Sequence, residues 1–485
     1  MQIAVIGAGI SGLVAAHRLS RSRGGKHRVT LFEANAYPGG HTNTLDVELD
    51  GRRHAVDTGF IVFNDRTYPN FIALLEELGI GSRPTEMGFS VRCDRTGLEY
   101  NGSSLNGFFA RRSNLVRPSF WRMAADIARF NRHAPRDVLA GGELANESTT
   151  VGEYLRRGGY GREFAEHYLL PMGAAIWSCP VGTFAEFPIR FIVDFYRHHG
   201  LLSLTDRPQW RVVEGGSRTY VAEILRRFPG RVRLSTPVVQ VRRSESAVEI
   251  TPRGGEPERF DHVVFACHAD QALRMLADPS EAERELLAAF PYEPNVALLH
   301  TDPTLLPRRR RAWASWNYLL SADPEARPVV TYCMNILQHI RSREVINVTL
   351  NGEHRVDPDR VLARIVYEHP VFTTARAAAQ RRHGELLNVR HTSYCGAYWR
   401  NGFHEDGVVS ALAVCRALDA EATVNPLSPE IEPAGAVASC GARPPRRQLV
   451  STKGSCTIGE PRRRSTHFNT ASASSISISP KRNVC

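Results

Sequence analysis

The stretch Gln2-Ile3-Ala4-Val5-Ile6-Gly7-Ala8-Gly9-Ile10-Ser11-Gly12-Leu13-Val14 decides the fold. A short apolar β run leads straight into three spaced glycines, and a helical pattern follows with Ile10, Leu13, Val14 and Leu19 on one side. Gly7 permits a tight turn, Gly9 lets backbone come close to a pyrophosphate, and Gly12 lets the helix lie against the sheet. Ile10 and Ser11 open the helix, whose first turn offers N–H groups and a positive dipole end to phosphate oxygens. After a basic, glycine-containing turn, a second β run from Val29 to Phe32 closes on Glu33. That acid lies about twenty residues on, where a carboxylate can accept hydrogen bonds from ribose hydroxyls. No arginine follows it immediately, which favours a free 2′-hydroxyl over a 2′-phosphate. The chain therefore opens as a βαβ dinucleotide-binding unit on a buried parallel sheet.

Beyond the opening, Phe71 to Leu78 reads as a helix stopped by Gly79, and Phe120 to Phe130 as another. Val232 to Ile250 predicts hairpin strands, Asp261 to Ala266 a short buried strand, and Gln271–Leu276 and Glu281–Phe290 helices. Gly407 to Leu418 is an amphipathic helix. Such alternation predicts an α/β protein of two interleaved domains. After Asn425 the periodicity stops and Pro-, Arg- and Ser-rich pieces follow, so residues 425–485 are expected to be a disordered or atypical tail.

Composition narrows the class. The 485 residues are 42% apolar and 23% charged, as in globular proteins. No apolar run reaches the length of a spanning helix, and the N-terminus lacks a basic leader. Nine cysteines are scattered singly without CxxC spacing, which argues against zinc and disulfides and for a reducing cytoplasm. The net charge of +11 suggests nucleic acid at first sight. From Glu421 onward, however, nine basic residues face four acidic ones, so about half of the excess sits in the tail. No nucleic-acid partner is expected.

Further phrases decide between FAD and NAD. Pro38-Gly39-Gly40-His41-Thr42-Asn43-Thr44 follows Glu33, and Asp57-Thr58-Gly59-Phe60 comes soon after. Gly215-Gly216, Thr236-Pro237-Val238, Val263-Val264-Phe265-Ala266, Cys395-Gly396-Ala397 and Glu405-Asp406-Gly407-Val408 continue the series. In this order, across most of residues 1–420, the chain resembles the flavin amine oxidase superfamily, which includes phytoene desaturases and protoporphyrinogen oxidases. The resemblance implies noncovalent FAD on a Rossmann-type domain built from 1–65, 205–270 and 385–424. A mixed sheet-and-helix substrate domain of 66–204 and 271–384 would be interleaved with it. It also implies that Gly39, Gly40, His41 and Thr42 lie at the phosphates and that Gly59 leads toward the flavin ring. Val238 would meet adenine through its backbone, Ala266 and Gly396 would lie along the cofactor, and Asp406, Gly407 and Val408 would bring a helix N-terminus to the pyrimidine end. Within the superfamily the phrases GGHTNT, FIVFNDRTYPNF and GFHEDGVVSAL are similar to bacterial FAD-binding oxidoreductases associated with enzymes that modify unsaturated fatty acyl chains.

Two departures from that pattern stand out. Many amine oxidases hold a water on a lysine near the flavin, yet no lysine occurs between Lys26 and Lys453. The second glycine pair is commonly followed by arginine, where His41 stands here. His404 falls where some relatives carry a flavin-facing aromatic, and a histidine there is a candidate acid or base; otherwise it orders the turn. Tyr398 and Trp399 are candidates for the same wall. Arg308 to Arg311 could receive an anionic group or could be a solvated loop. Residues 108–136 interleave aromatics with arginines, as in an interfacial helix on anionic lipid or a cap helix packed on the core. His198, His199 and His339 lack ligand companions, and no metal is assigned.

The expected function is FAD-dependent oxidation, desaturation or isomerisation of an apolar substrate, an unsaturated or modified acyl chain being preferred. A carotenoid- or amine-type oxidase and a non-catalytic lipid-binding flavoprotein remain open beside it.

Overall fold

In the computed structural model, residues 1–418 are described except 23–26, 140–145, 147, 178, 204–206, 322–328 and 372. The expectation of a disordered tail over 425–485 lies outside the described residues.

Gln2–Ile6 pairs in parallel with Arg28–Phe32 on one edge and His262–Phe265 on the other. Arg231–Arg233 and Thr392–Tyr394 extend this to a five-stranded parallel sheet with Gln2–Ile6 at its centre. The unbroken apolar run of that strand follows from burial on both faces. Ile3 and Val5 join one core with the first helix, Ile10–Ser20, and the last, His404–Leu418. Ala4 and Ile6 face a second core with Val241, Val248 and Ile250 of an antiparallel three-stranded sheet. A central parallel strand has no solvent face, so the period-2 alternation disappears.

A mostly antiparallel seven-stranded sheet forms the second layer, running from Val361–Pro370 through Tyr292–His300 to Phe89–Cys93 and Leu98–Asn101. Helices Pro118–Leu139, Val151–Arg157, Leu170–Ile176 and Ile189–His198 gather around Phe130, Tyr154, Phe184 and Tyr196 in a separate helical core. Between Arg162 and Ile176 the helix widens into a π turn at Ala165–Leu169, and Tyr100 donates a hydrogen bond to the carbonyl of His167 at 2.6 Å. Among the described residues no helix is long and apolar enough to cross a membrane.

Three elements differ from expectation. Arg231–Arg233 leaves the hairpin and joins the parallel sheet beside Arg28–Phe32, while Val238–Arg243 and Val248–Pro252 form the hairpin proper. The helix foreseen at Phe120–Phe130 runs from Pro118 to Leu139, carried past Pro135 by packing of Phe130, Ala134 and Val138 in the helical core. The last helix starts three residues early, at His404. There the Asp406 carboxylate accepts the Phe403 N–H at 2.8 Å, and acidic groups in a first turn suit the dipole.

Candidate functional site

The glycine-rich turn is the floor of a cavity of about 890 Å³. A Cβ at Gly9 would meet no heavy atom within 4 Å, so this glycine leaves an open notch at the first helix's N-terminus. Gly12 differs: a Cβ there would come within 1.9 Å of the Gly7 carbonyl oxygen, so the helix can rest on the turn only without a side chain. Gly407 likewise lets the last helix cross the first, since its Cβ would sit 2.7 Å from Ile10 Cγ2. The Pro38–Gly40 turn is clipped on by a hydrogen bond from Gly39 N–H to the Ala8 carbonyl at 2.8 Å.

Gly7, Gly9, Ile10, Ser11, Glu33, Gly39, Gly40, His41, Gly59, Val238, Ala266, Gly396 and His404 all line the cavity. Gly12, Thr42, Asp406, Gly407 and Val408 do not; they stand behind its wall. Asp406 caps its own helix, and its neighbour Glu405 accepts the Asn70 and Phe71 N–H groups at 3.0 and 2.9 Å, capping the helix Pro69–Leu78. Of the candidate aromatics, Tyr398 lines the cavity while Trp399 packs against Phe290 and His383.

Glu33 is buried, with Oε2 accepting the Ala8 N–H at 2.8 Å and Oε1 that of Asn35 at 2.9 Å. Each carboxylate oxygen keeps acceptor capacity for a further donor. His41 stacks on Tyr367 at 5.0 Å, and its Nε2 is buried with no partner among the described residues. Burial, reinforced by His369, His268 and His404, holds its pKa well below the usual value, so it is a neutral ring. An orphaned imidazole nitrogen beside an empty glycine notch suits one hydrogen bond to an anionic oxygen.

His404 is a positioned, neutral ring. It stacks on Phe60 at 3.5 Å with planes 5° apart, and Nε2 meets the Tyr220 hydroxyl at 2.6 Å and Thr42 Oγ1 at 3.1 Å. Burial brings its pKa down to about 3. Burial therefore favours the neutral ring at neutral pH, which weighs against the acid half of the acid-or-base role expected of it. His404→Phe is expected to keep the stack and lose about 1 kcal/mol with the hydrogen bonds. NMR of the ring protons should show no titration between pH 8 and 5; a midpoint near 6.5 would overturn this assignment.

The far end of the cavity was not foreseen. Met172, Ile176, Trp177 and Phe195 from the helical layer face Trp316, Tyr332 and Leu350 from the seven-stranded sheet. Among the described residues Glu33 and Glu368 are the only carboxylates on the lining, and Glu368 is engaged by His268 Nδ1 at 3.1 Å. No group of metal-ligating side chains occurs among the described residues.

Residues 10–369 match the family described as flavin containing amine oxidoreductase. The chain belongs to that family. Coproporphyrinogen III oxidase of Mycobacterium leprae (strain TN) is 28% identical over 302 residues, 56% of this chain and 60% of that protein. The chain thus spans little more than half the length of the curated relatives it matches. Among solved structures, a fatty acid isomerase from P. acnes described as CLA-producing has a TM-score of 0.59 at 14% identity, covering 85% of this chain and 98% of that one. Putrescine oxidase bound to putrescine has a TM-score of 0.57 at 16% identity, covering 87% and 99%. At such identities the structures share the fold. The Gly9 notch, the Glu33 oxygens and the unpartnered His41 nitrogen suit the flavin cofactor that the family's description implies.

Proposed function

We propose that the protein is an FAD-dependent oxidoreductase acting on an apolar substrate, with an unsaturated or modified acyl chain as the preferred class. The observation that carries this reading is the continuity of one cavity from the Gly9 notch to the Trp177–Trp316 end. FAD would lie noncovalently along a Rossmann-type unit, its diphosphate at Gly9–Ser11 and His41, its adenosine ribose at Glu33 and its adenine at Val238. When bound, FAD supplies hydride acceptance that no side chain offers.

This chain's own residues bind and orient. The helix N-terminus at Ile10 and Ser11 donates N–H groups to the diphosphate. Phe60, Thr42 and Tyr220 hold the His404 ring fixed. Trp177, Phe195, Trp316 and Tyr332 exclude water and pack an apolar chain. An amine oxidised as its cation would want a carboxylate at the far end; among the described lining residues Glu33 is at the glycine end and Glu368 is paired. Lysine is absent from the described residues, so the lysine-held water of amine-type oxidases has no counterpart among them. Both points favour the acyl reading over the amine one.

The purified protein should be yellow and release intact FAD on heating. Anaerobic bleaching is expected with unsaturated acyl lipids and not with putrescine or simple aromatic amines. Bleaching by amines alone would replace the acyl reading, and flavin retained after denaturation would exclude noncovalent binding.

A further inference from the structure

We propose that residues 105–122, together with Arg308–Arg311, form a docking surface for an anionic lipid bilayer. Eleven large apolar side chains are exposed among the described residues, and four of them, Leu105, Leu115, Val116 and Trp121, fall within this one stretch. Leu105 and Val116 are each 80% exposed. Trp121 Nε1 donates to the Leu115 carbonyl at 2.9 Å and the Trp121 ring lies 5.5 Å from Phe109, so these side chains share one surface. The short helix Leu105–Phe108 packs against the Arg310–Ala312 turn, which brings the arginine run to the same face.

The charge on this face is one-sided. Arg111, Arg112, Arg117 and Arg122 occur with no acidic residue between Leu105 and Ala125. Arg122 and Arg309 have carboxylate partners in Glu163 and Glu99, whereas Arg117, Arg308 and Arg311 make no ion pair among the described residues. Apolar side chains enter the headgroup–acyl boundary while guanidinium groups pair with phosphates, and both needs are met at once by anionic lipid. A second copy of this chain would set arginines against arginines, which opposes self-association through this face. Phe89 and Tyr332 line the large cavity and belong to the same apolar cluster as Phe108, Phe109 and Phe120, so the docking face and the apolar end share one core.

The test is co-sedimentation of the full-length protein with extruded vesicles of phosphatidylcholine, with or without phosphatidylglycerol. Sedimentation is expected with the anionic vesicles, weakening as salt is raised. The double variant Leu115→Glu/Val116→Glu should lower the partition coefficient by about tenfold or more at an unchanged melting temperature. Arg308→Gln/Arg311→Gln should lower it by about tenfold as well. Absence of binding to anionic vesicles overturns the proposal, as does unchanged binding by the folded double variant. Concentration-dependent dimerisation that the double variant abolishes would assign the face to a second copy. None of these readouts uses turnover, so the docking face and the acyl-substrate reading fail separately.

Discussion

Gly9→Val is expected to yield a folded, colourless protein, and Gly12→Val to yield almost no folded protein. The two glycines are three residues apart in one motif, yet they are glycine for different reasons. At Gly9 the backbone has φ −71° and ψ −179°, an extended conformation that valine adopts without strain. A Cβ there meets nothing within 4 Å, so the protein itself has no need of glycine at this position. The side chain would fill the notch in which the diphosphate is proposed to approach the helix N-terminus. FAD affinity should fall by about a hundredfold or more, equivalent to roughly 3 kcal/mol. At Gly12 the Cβ would overlap the Gly7 carbonyl oxygen, a backbone atom that cannot yield without dismantling the turn. Overpacking against a backbone atom in the central βαβ unit costs about 3 kcal/mol or more. Circular dichroism and flavin titration of the refolded apoproteins separate the two effects. A Gly9→Val protein that binds FAD as tightly as the parent would remove the cofactor from this notch.

The same contrast separates what the sequence carries from what only packing supplies. The opening motif was legible because a strand, a spaced glycine set, a helix and a terminal acid all agree over thirty-odd residues, and each constrains the others. Its glycines, strand and Glu33 stand where the pattern placed them, on the wall of one cavity or packed directly behind it. The apolar end was not legible. Met172, Trp177 and Phe195 are the residue types that fill any core, and only the arrangement of separate layers leaves space in front of them. His404 lines the cavity, but its protonation depends on burial and on the Phe60 stack, which no local pattern carries. Asp406 shows a related ambiguity: an acid at a helix start serves equally well as a cap, and its carboxylate accepts the Phe403 N–H here.

Acid should destabilise the protein steeply between about pH 6.5 and 4. Burial brings the pKa of His199, His262, His300, His369 and His383 down to about 4, and that of His404 to about 3. Geometry independently demands neutrality at His300, whose Nδ1 accepts the Asp302 N–H at 3.1 Å while Nε2 meets Thr349 Oγ1 at 2.7 Å. An unfolded histidine titrates near 6.5, so below that pH the unfolded chain takes up protons that the native state refuses. The stabilisation is complete above pH 6.5 and lost as pH falls. Two buried acids act in the opposite sense: burial raises Asp57 and Asp406 to about 6, so between pH 6 and 4 the native state binds their protons first. The six histidines outnumber the two acids, so near pH 5 the native state binds fewer protons than the unfolded chain and stability falls as pH drops. At lower pH the trend continues at Glu283: burial alone would raise it, but hydrogen bonds from Arg243 and Tyr394 bring it down to about 2. Its contribution is therefore present above pH 4.5 and lost below. Urea unfolding followed at half-unit intervals from pH 7.5 to 4.5 measures the slope directly. His262→Gln and His300→Gln should each flatten it by roughly 1.4 kcal/mol per pH unit. A stability that stays level down to pH 4.5 would mean that these rings accept protons in the folded state, which the backbone donor on His300 forbids.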